Sequence, residues 1–239
     1  MYESIKNYSE VSKNPINLVR TLIFKRRFWL NNPTYFDPSG IWVYCGSQGS
    51  GKTLSAVQTL KKMALLYPKA KIVSNMPIFC LPDREIIPFT DYSQLELSNG
   101  IEGVIFFLDE LHVLWNSLES KDIPISEMAI FCQNRKDRRV IIGTSQVYSR
   151  IAKPIREQLQ YVVDCHCILG CIQYNQVLNP QNEIEKDGHI QGELVQTQIF
   201  FHSPDMYTSY ETLNKISRLE RKEMKENVRV SNISVHRFN

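Results

Sequence analysis

Residues 41–53, Ile-Trp-Val-Tyr-Cys-Gly-Ser-Gln-Gly-Ser-Gly-Lys-Thr, restrict what this chain can become more than any other stretch. Residues of strand character, Ile41 to Cys45, run straight into Gly46-Ser47-Gln48-Gly49-Ser50-Gly51-Lys52-Thr53, and a helix-prone stretch, Leu54 to Leu66, follows at once. The loop is G-x-x-x-x-G-K-[ST] without substitution, in the strand-then-helix context that gives the motif its meaning. Glycines at 46, 49 and 51 let the backbone bend so that consecutive N–H groups point inward at phosphate oxygens. The N-terminus of the following helix adds partial positive charge. Lys52 is placed to reach the β- and γ-phosphates, and the Thr53 hydroxyl to ligate Mg²⁺. The expected ligands are a nucleoside triphosphate and Mg²⁺.

The other half of such a site needs acids. They come at the end of Gly103-Val104-Ile105-Phe106-Phe107-Leu108-Asp109-Glu110. The unbroken apolar run reads as a strand buried on both faces, as in a parallel sheet. Asp109 is then the metal-holding carboxylate and Glu110 the one that polarises the attacking water. A further apolar strand, Val140 to Thr144, leads into Ser145-Gln146. Ligands of parallel sheets bind at the carboxyl ends of strands. Gln146 is therefore placed either to sense the γ-phosphate and orient the water or to bond a loop backbone. The basic run Arg135-Lys136-Asp137-Arg138-Arg139 precedes that strand.

A chain of 239 residues suits one sizeable domain with appendages, and a net charge of +3 leaves any nucleic-acid contact to local clustering. Six cysteines make no disulfide scaffold, and a reducing cytoplasm fits them better. The first residues, Met1-Tyr2-Glu3-Ser4-Ile5-Lys6, are polar and mixed rather than a leader, and no run is long and apolar enough to span a membrane. Residues 1–37 form a basic and aromatic arm, with helical spacing from Leu18 to Leu30. It either packs on its own domain or docks on a subunit, DNA or a membrane face. Residues 38–212 are the nucleotide-binding domain, and 213–239 a charged helical tail. Within the domain, Ala70 to Ser74 and Tyr161 to Asp164 read as strands, 78–100 as irregular connection, and 125–134 as a short helix. A helix candidate with Pro154 in its first turn runs to Leu159. Partial alternation in Ile168 to Val177 and in Glu193 to Phe201, with Asn179-Pro180 and Asp187-Gly188 in the loop between, reads as a β-hairpin.

With those residues placed, the chain resembles the zonular occludens toxin (Zot)-like ATPases of bacteriophages, within the FtsK–HerA superfamily of DNA-pumping motors. The likeness runs through Gly46 to Thr53, Ser74-Asn75-Met76-Pro77, Leu108-Asp109-Glu110-Leu111-His112 with Trp115, Arg135 upstream of Gln146, and Tyr210-Glu211-Thr212. It implies an α/β P-loop NTPase of RecA/ASCE type, with ATP as its nucleotide. Its mainly parallel sheet has strand order 5-1-4-3-2, extended by a C-terminal hairpin. It implies a homo-oligomeric ring, pentameric or hexameric, that moves DNA independently of sequence. The ring would dock on a capsid vertex or on a membrane protein of the virion-assembly machinery, within the host cytoplasm. Such rings close head to tail, so Arg135, with Arg138 and Arg139 as alternatives, is the candidate finger reaching the next subunit's nucleotide. Filamentous-phage members carry a membrane-spanning segment after the ATPase domain, which this sequence lacks. That shifts weight toward the packaging ATPases of the superfamily, with a Zot-like assembly or export ATPase acting beside a membrane partner as the alternative.

Other constellations carry less. Cys165-His166-Cys167 with Cys171 has poor spacing for zinc, since neighbours on a strand point to opposite faces. His112 reads as packed beside the site rather than catalytic. A P-loop kinase shares the loop, but a water-activating glutamate beside Asp109 favours hydrolysis.

Overall fold

The computed structural model of the chain describes residues 15–118, 134, 136–186 and 189–211, with backbone only for 181–186 and 189–191. The chain divides into two compact units, Met1–Tyr35 and Phe36–Asn239. The first holds helix α1 (Pro15–Asn31), which starts on a proline, as a first helical turn allows, and buries none of its residues. Its C-terminal end is closed by aromatic edges, Phe28 and Trp29 lying 4.8 and 5.4 Å from the Tyr35 ring.

The second unit is built on one eight-stranded sheet. In chain order it contains β1 (Gly40–Cys45), α2 (Lys52–Leu66), β2 (Lys71–Ser74), β3 (Ile86–Pro88) and β4 (Val104–Leu108). Next come the single turn α3 (Leu111–Leu114), β5 (Arg139–Ser145) and a second single turn, α4 (Lys153–Arg156). The long strands β6 (Leu159–Ile168), β7 (Ile172–Lys186) and β8 (His189–Phe201) and the turn α5 (Pro204–Tyr207) complete it. The sheet runs β3-β2-β4-β5-β1-β6-β7-β8, parallel from β3 to β6 and antiparallel from β6 to β8.

Burial explains the parallel part. Every residue of β4 and β5 is buried, because apolar layers cover both faces. On one face α2 lays Ala56, Val57, Leu60 and Met63 over Tyr44, Ile72, Ile105 and Ile142. On the other, Leu111, Leu114, Trp115, Tyr148 and Ile155 cover Val43, Phe106 and Ile141. Gly143 admits the close approach of α3, since a β-carbon there would overlap the Leu111 side chain.

Counting only the strands at 40–45, 71–74, 104–108, 139–145 and 159–168, the order is the expected 5-1-4-3-2. The differences lie at the edges. Within 78–100, read as irregular, Ile86–Pro88 adds a parallel edge strand and Tyr92–Glu96 a 3-10 turn. That strand is too short for periodicity to show, and Pro88 can sit only where no ladder donor is needed. Asn179-Pro180 lies inside β7 rather than in a loop. The ladder to β8 shifts register between Asn179 and Ile184, which absorbs a residue without an N–H. The helix expected up to Leu159 is the single turn Lys153–Arg156, because Leu159 already pairs with Ile41. The helix expected over 125–134 falls largely outside the described residues, as do Thr212 and the 213–239 tail.

Candidate active site

The phosphate loop leaves β1 between two flanking strands, β5 and β6. Two of its glycines, Gly51 and Gly46, are also pressed by neighbouring atoms. Gly51, the N-cap of α2, has φ 78°, and a β-carbon there would overlap the Gln173 side chain from β7. Gly46 is hemmed by the Ser50 hydroxyl and the Cys165 carbonyl of β6. The tip, Ser47-Gln48-Gly49, is exposed, while Ser50 and Lys52 are buried. A tight turn closes the loop, Ser50 N–H donating to Ser47 O at 3.2 Å.

Lys52 and Thr53 open α2, and Thr53 faces the end of β4. Its hydroxyl donates to Asp109 Oδ1 at 3.2 Å, and the Thr144 hydroxyl donates to the same oxygen at 2.6 Å. Asn75, just past β2, clamps the Asp109 backbone from the other side. Its amide accepts from Asp109 N–H at 2.8 Å and donates to Asp109 O at 2.9 Å. Burial pushes the Asp109 carboxyl above its ordinary pKa, the Thr144 bond opposes this, and the neighbouring Glu110 carboxylate adds to it. A buried carboxylate facing a hydroxyl is the oxygen donor set that suits Mg²⁺, and a cation there would offset the desolvation.

Glu110 takes a left-handed backbone conformation, φ 56°, uncommon for a residue with a side chain. Its N–H donates to Thr144 Oγ1 at 3.0 Å, so one hydroxyl organises both acids. The Glu110 carboxylate is approached by Gln146 Nε2 at 3.4 Å and by His112 Nδ1 at 3.2 Å. His112 also lies 3.3 Å from Ser145 Oγ, and burial, more than any charge, pulls its pKa down. Tyr210 reaches the same region through a bridge to Ile78; burial first, then the Asp109 charge, raises its phenol pKa.

Lys52, Thr53, Asp109, Glu110 and Gln146 are therefore carried by the carboxyl ends of neighbouring parallel strands and the start of α2. Arg135 lies outside the described residues. Of its two alternatives, Arg139 is corrected. It is 3% exposed, and its guanidinium bonds Leu95 O and Asp137, which makes it a structural residue. Arg138 is half-buried with φ 52°. Both sit at the amino end of β5, the far end from Gln146.

No protein-family model matches the sequence, and no curated protein does. Among solved structures, the N-terminal domain of zonular occludens toxin from Neisseria meningitidis aligns with a TM-score of 0.51 at 16% identity, over 72% of this chain and 99% of that one. The chain has a Zot-like P-loop ATPase fold. Also similar is B204, the DNA-packaging ATPase from Sulfolobus turreted icosahedral virus, with TM-score 0.48, 10% identity, and coverage of 70% of this chain and 98% of that one. The flagellar accessory protein FlaH from Methanocaldococcus jannaschii gives TM-score 0.44 and 12% identity over 75% and 91% of the two chains.

Within this Zot-like fold, three contributors escaped the sequence reading as site residues. Thr144 looks like an ordinary strand residue. Asn75 enters only through the likeness of Ser74-Asn75-Met76-Pro77 to its family counterpart. Gln173 lies on the distant β7 and carries no motif at all. A polar residue ending an apolar strand, as Thr144 does, was the one signal available for any of them.

Proposed function

We propose that the chain is a Mg²⁺-dependent ATPase that moves DNA without regard to sequence, working as a head-to-tail ring in phage genome packaging or virion assembly. The observation that carries the hydrolytic part is the convergence of the Thr53 and Thr144 hydroxyls on Asp109, with Thr144 also taking the Glu110 N–H, beside an intact phosphate loop. Loop N–H groups and Lys52 bind the triphosphate. Thr53 and Asp109 would hold Mg²⁺, which when bound would supply neutralisation of the phosphate charge. The Glu110 carboxylate takes a proton from water as the water oxygen bonds the γ-phosphorus, and ADP leaves with the bridging oxygen. Gln146, next to Glu110, holds the water in line. Arg135 of a neighbouring subunit meets the charge that develops on the transferring group.

The DNA-moving part is supported by the resemblance to DNA-pumping motors and by the Zot-like fold. The grip is electrostatic, since a pump must accept every base. The deciding experiment is an ATPase assay with double-stranded, single-stranded and no DNA. Stimulation by duplex assigns packaging, and stimulation by single strands assigns filamentous assembly or export beside a membrane partner. Turnover indifferent to both, with phosphate passed to a small acceptor, would replace the motor by a kinase.

A further inference from the structure

We infer that Gln173, on β7 of the C-terminal hairpin, is a positioning residue for the phosphate loop, holding it in its anion-binding form from the side opposite the phosphates. The inference rests on the loop's binding a nucleoside triphosphate and adds a residue no motif supplies.

A loop that turns its N–H groups toward an anion turns carbonyls the other way. Buried carbonyls need donors of their own. The Ser50 carbonyl has one in Gln173 Nε2, at 2.9 Å, from a side chain that is 0% exposed. The second hydrogen of that amide goes to Asn175 Oδ1 at 2.7 Å, and Ser55, in the first turn of α2, donates to the same oxygen at 3.4 Å. Gln173 Oε1 faces His202 Nε2 at 3.1 Å, and His202 Nδ1 faces the Tyr207 hydroxyl at 2.7 Å. Each contact fixes the next. The Ser50 carbonyl can only accept, so it sets the Gln173 amide; the amide oxygen then sets His202 as the donor through Nε2. The same side chain fills the space a β-carbon at Gly51 would need. The loop is thus bolted to β7 at its last glycine and at the start of its helix. β7 continues past its pairing with β6, which ends at Leu178, into a ribbon that among the described residues pairs with β8 alone. Gln173 lies before that ribbon, paired with Cys167 of β6 and Phe200 of β8, so the sheet itself holds the brace in place.

Gln173 bonds a loop carbonyl and none of the groups assigned to phosphate, metal or water, so its loss should weaken binding rather than slow chemistry. Gln173→Met keeps length and volume and removes the donor. It should raise the Kd of a fluorescent ATP analogue, and the KM for ATP, about tenfold, the cost of leaving one buried carbonyl unpaired. At saturating ATP, kcat should stay within about threefold of wild type. His202→Phe, at a half-buried position, should raise KM by a smaller factor, and His202→Gln, which keeps an N–H donor, should restore it. These variants also serve if Gln173→Met does not fold. A lowered Tm with unchanged KM in Gln173→Met, or unchanged KM in His202→Phe, overturns the inference. Wild-type protein that binds no triphosphate sinks the nucleotide reading as well, so the two failures are told apart in the same titration.

Discussion

Replacing Thr144 by Val tests the site at the atom where both its acids meet. Valine fills the same space, so no cavity forms at this 0% exposed position. Two bonds are lost. One is the hydroxyl donor to the Asp109 carboxylate at 2.6 Å, a charge-assisted bond of about 1.5–3 kcal/mol. The other is the acceptor for Glu110 N–H at 3.0 Å, about 1 kcal/mol more. Together they cost about 2–4 kcal/mol, a fall in Tm of roughly 4–16 °C for a domain of this size. Both carboxylates also lose their aim, which should lower kcat/KM about 30-fold or more. The pH dependence gives a second reading. Burial already lifts the Asp109 pKa above its ordinary 3.8, so in nucleotide-free protein its contribution to stability is present below that value and lost as pH rises through the raised one. Removing the Thr144 bond raises the pKa further. The Tm gap between variant and wild type should be widest near neutral pH and narrow toward about pH 4. Thr144→Ser keeps the hydroxyl and should retain most of the activity. Thermal melts across pH and steady-state ATPase rates measure all of this. Wild-type turnover in Thr144→Val, or a Thr144→Ser variant impaired as badly, would refute the reasoning.

Glu110→Gln should bind ATP normally while hydrolysis falls about 10²–10⁴-fold, read by nucleotide binding alongside phosphate release; wild-type turnover would move the base elsewhere. Arg135→Ala should be inactive alone yet regain activity when mixed with Glu110→Gln protein, because a mixed interface rebuilds complete sites; no recovery at any mixing ratio removes the trans finger. Gly51→Ala should abolish ATP binding and lower Tm, since it meets both the left-handed φ and the Gln173 side chain, and calorimetry with an ATP-binding titration would show it.

What the sequence disclosed and what it hid follow physical lines. The loop was legible because backbone curvature toward phosphate demands glycine at set intervals, a constraint local in the chain. The strands at 104–108 and 139–145 were legible because burial on both faces leaves unbroken apolar runs. The order of the core strands came through the resemblance, since pairing of β1 with β5 and β6 joins segments far apart in sequence. Thr144, Asn75 and Gln173 stayed hidden as parts of the site for the same reason. Each acts through polar contacts to residues distant in sequence, and no local pattern records such contacts. Arg139 misled by composition alone. An arginine in a basic run reads as exposed, yet this one is buried at a strand's start with its guanidinium on Leu95 O and Asp137.

The place of β1 in the middle of the sheet also bears on how the protein is made. Its neighbours on both sides, β5 and β6, begin at Arg139 and Leu159, long after β1 has left the ribosome. At about 5–20 residues per second, the strand that carries the phosphate loop waits several seconds with Trp42, Val43 and Tyr44 unpaired. The β6, β7 and β8 strands follow one another closely in sequence and can pair quickly once synthesised, whereas β1 must be captured across a long loop. A nascent chain stalled before residue 139 would hold an apolar strand without either of its partner strands, which makes that window the time when a holdase chaperone matters most to this protein.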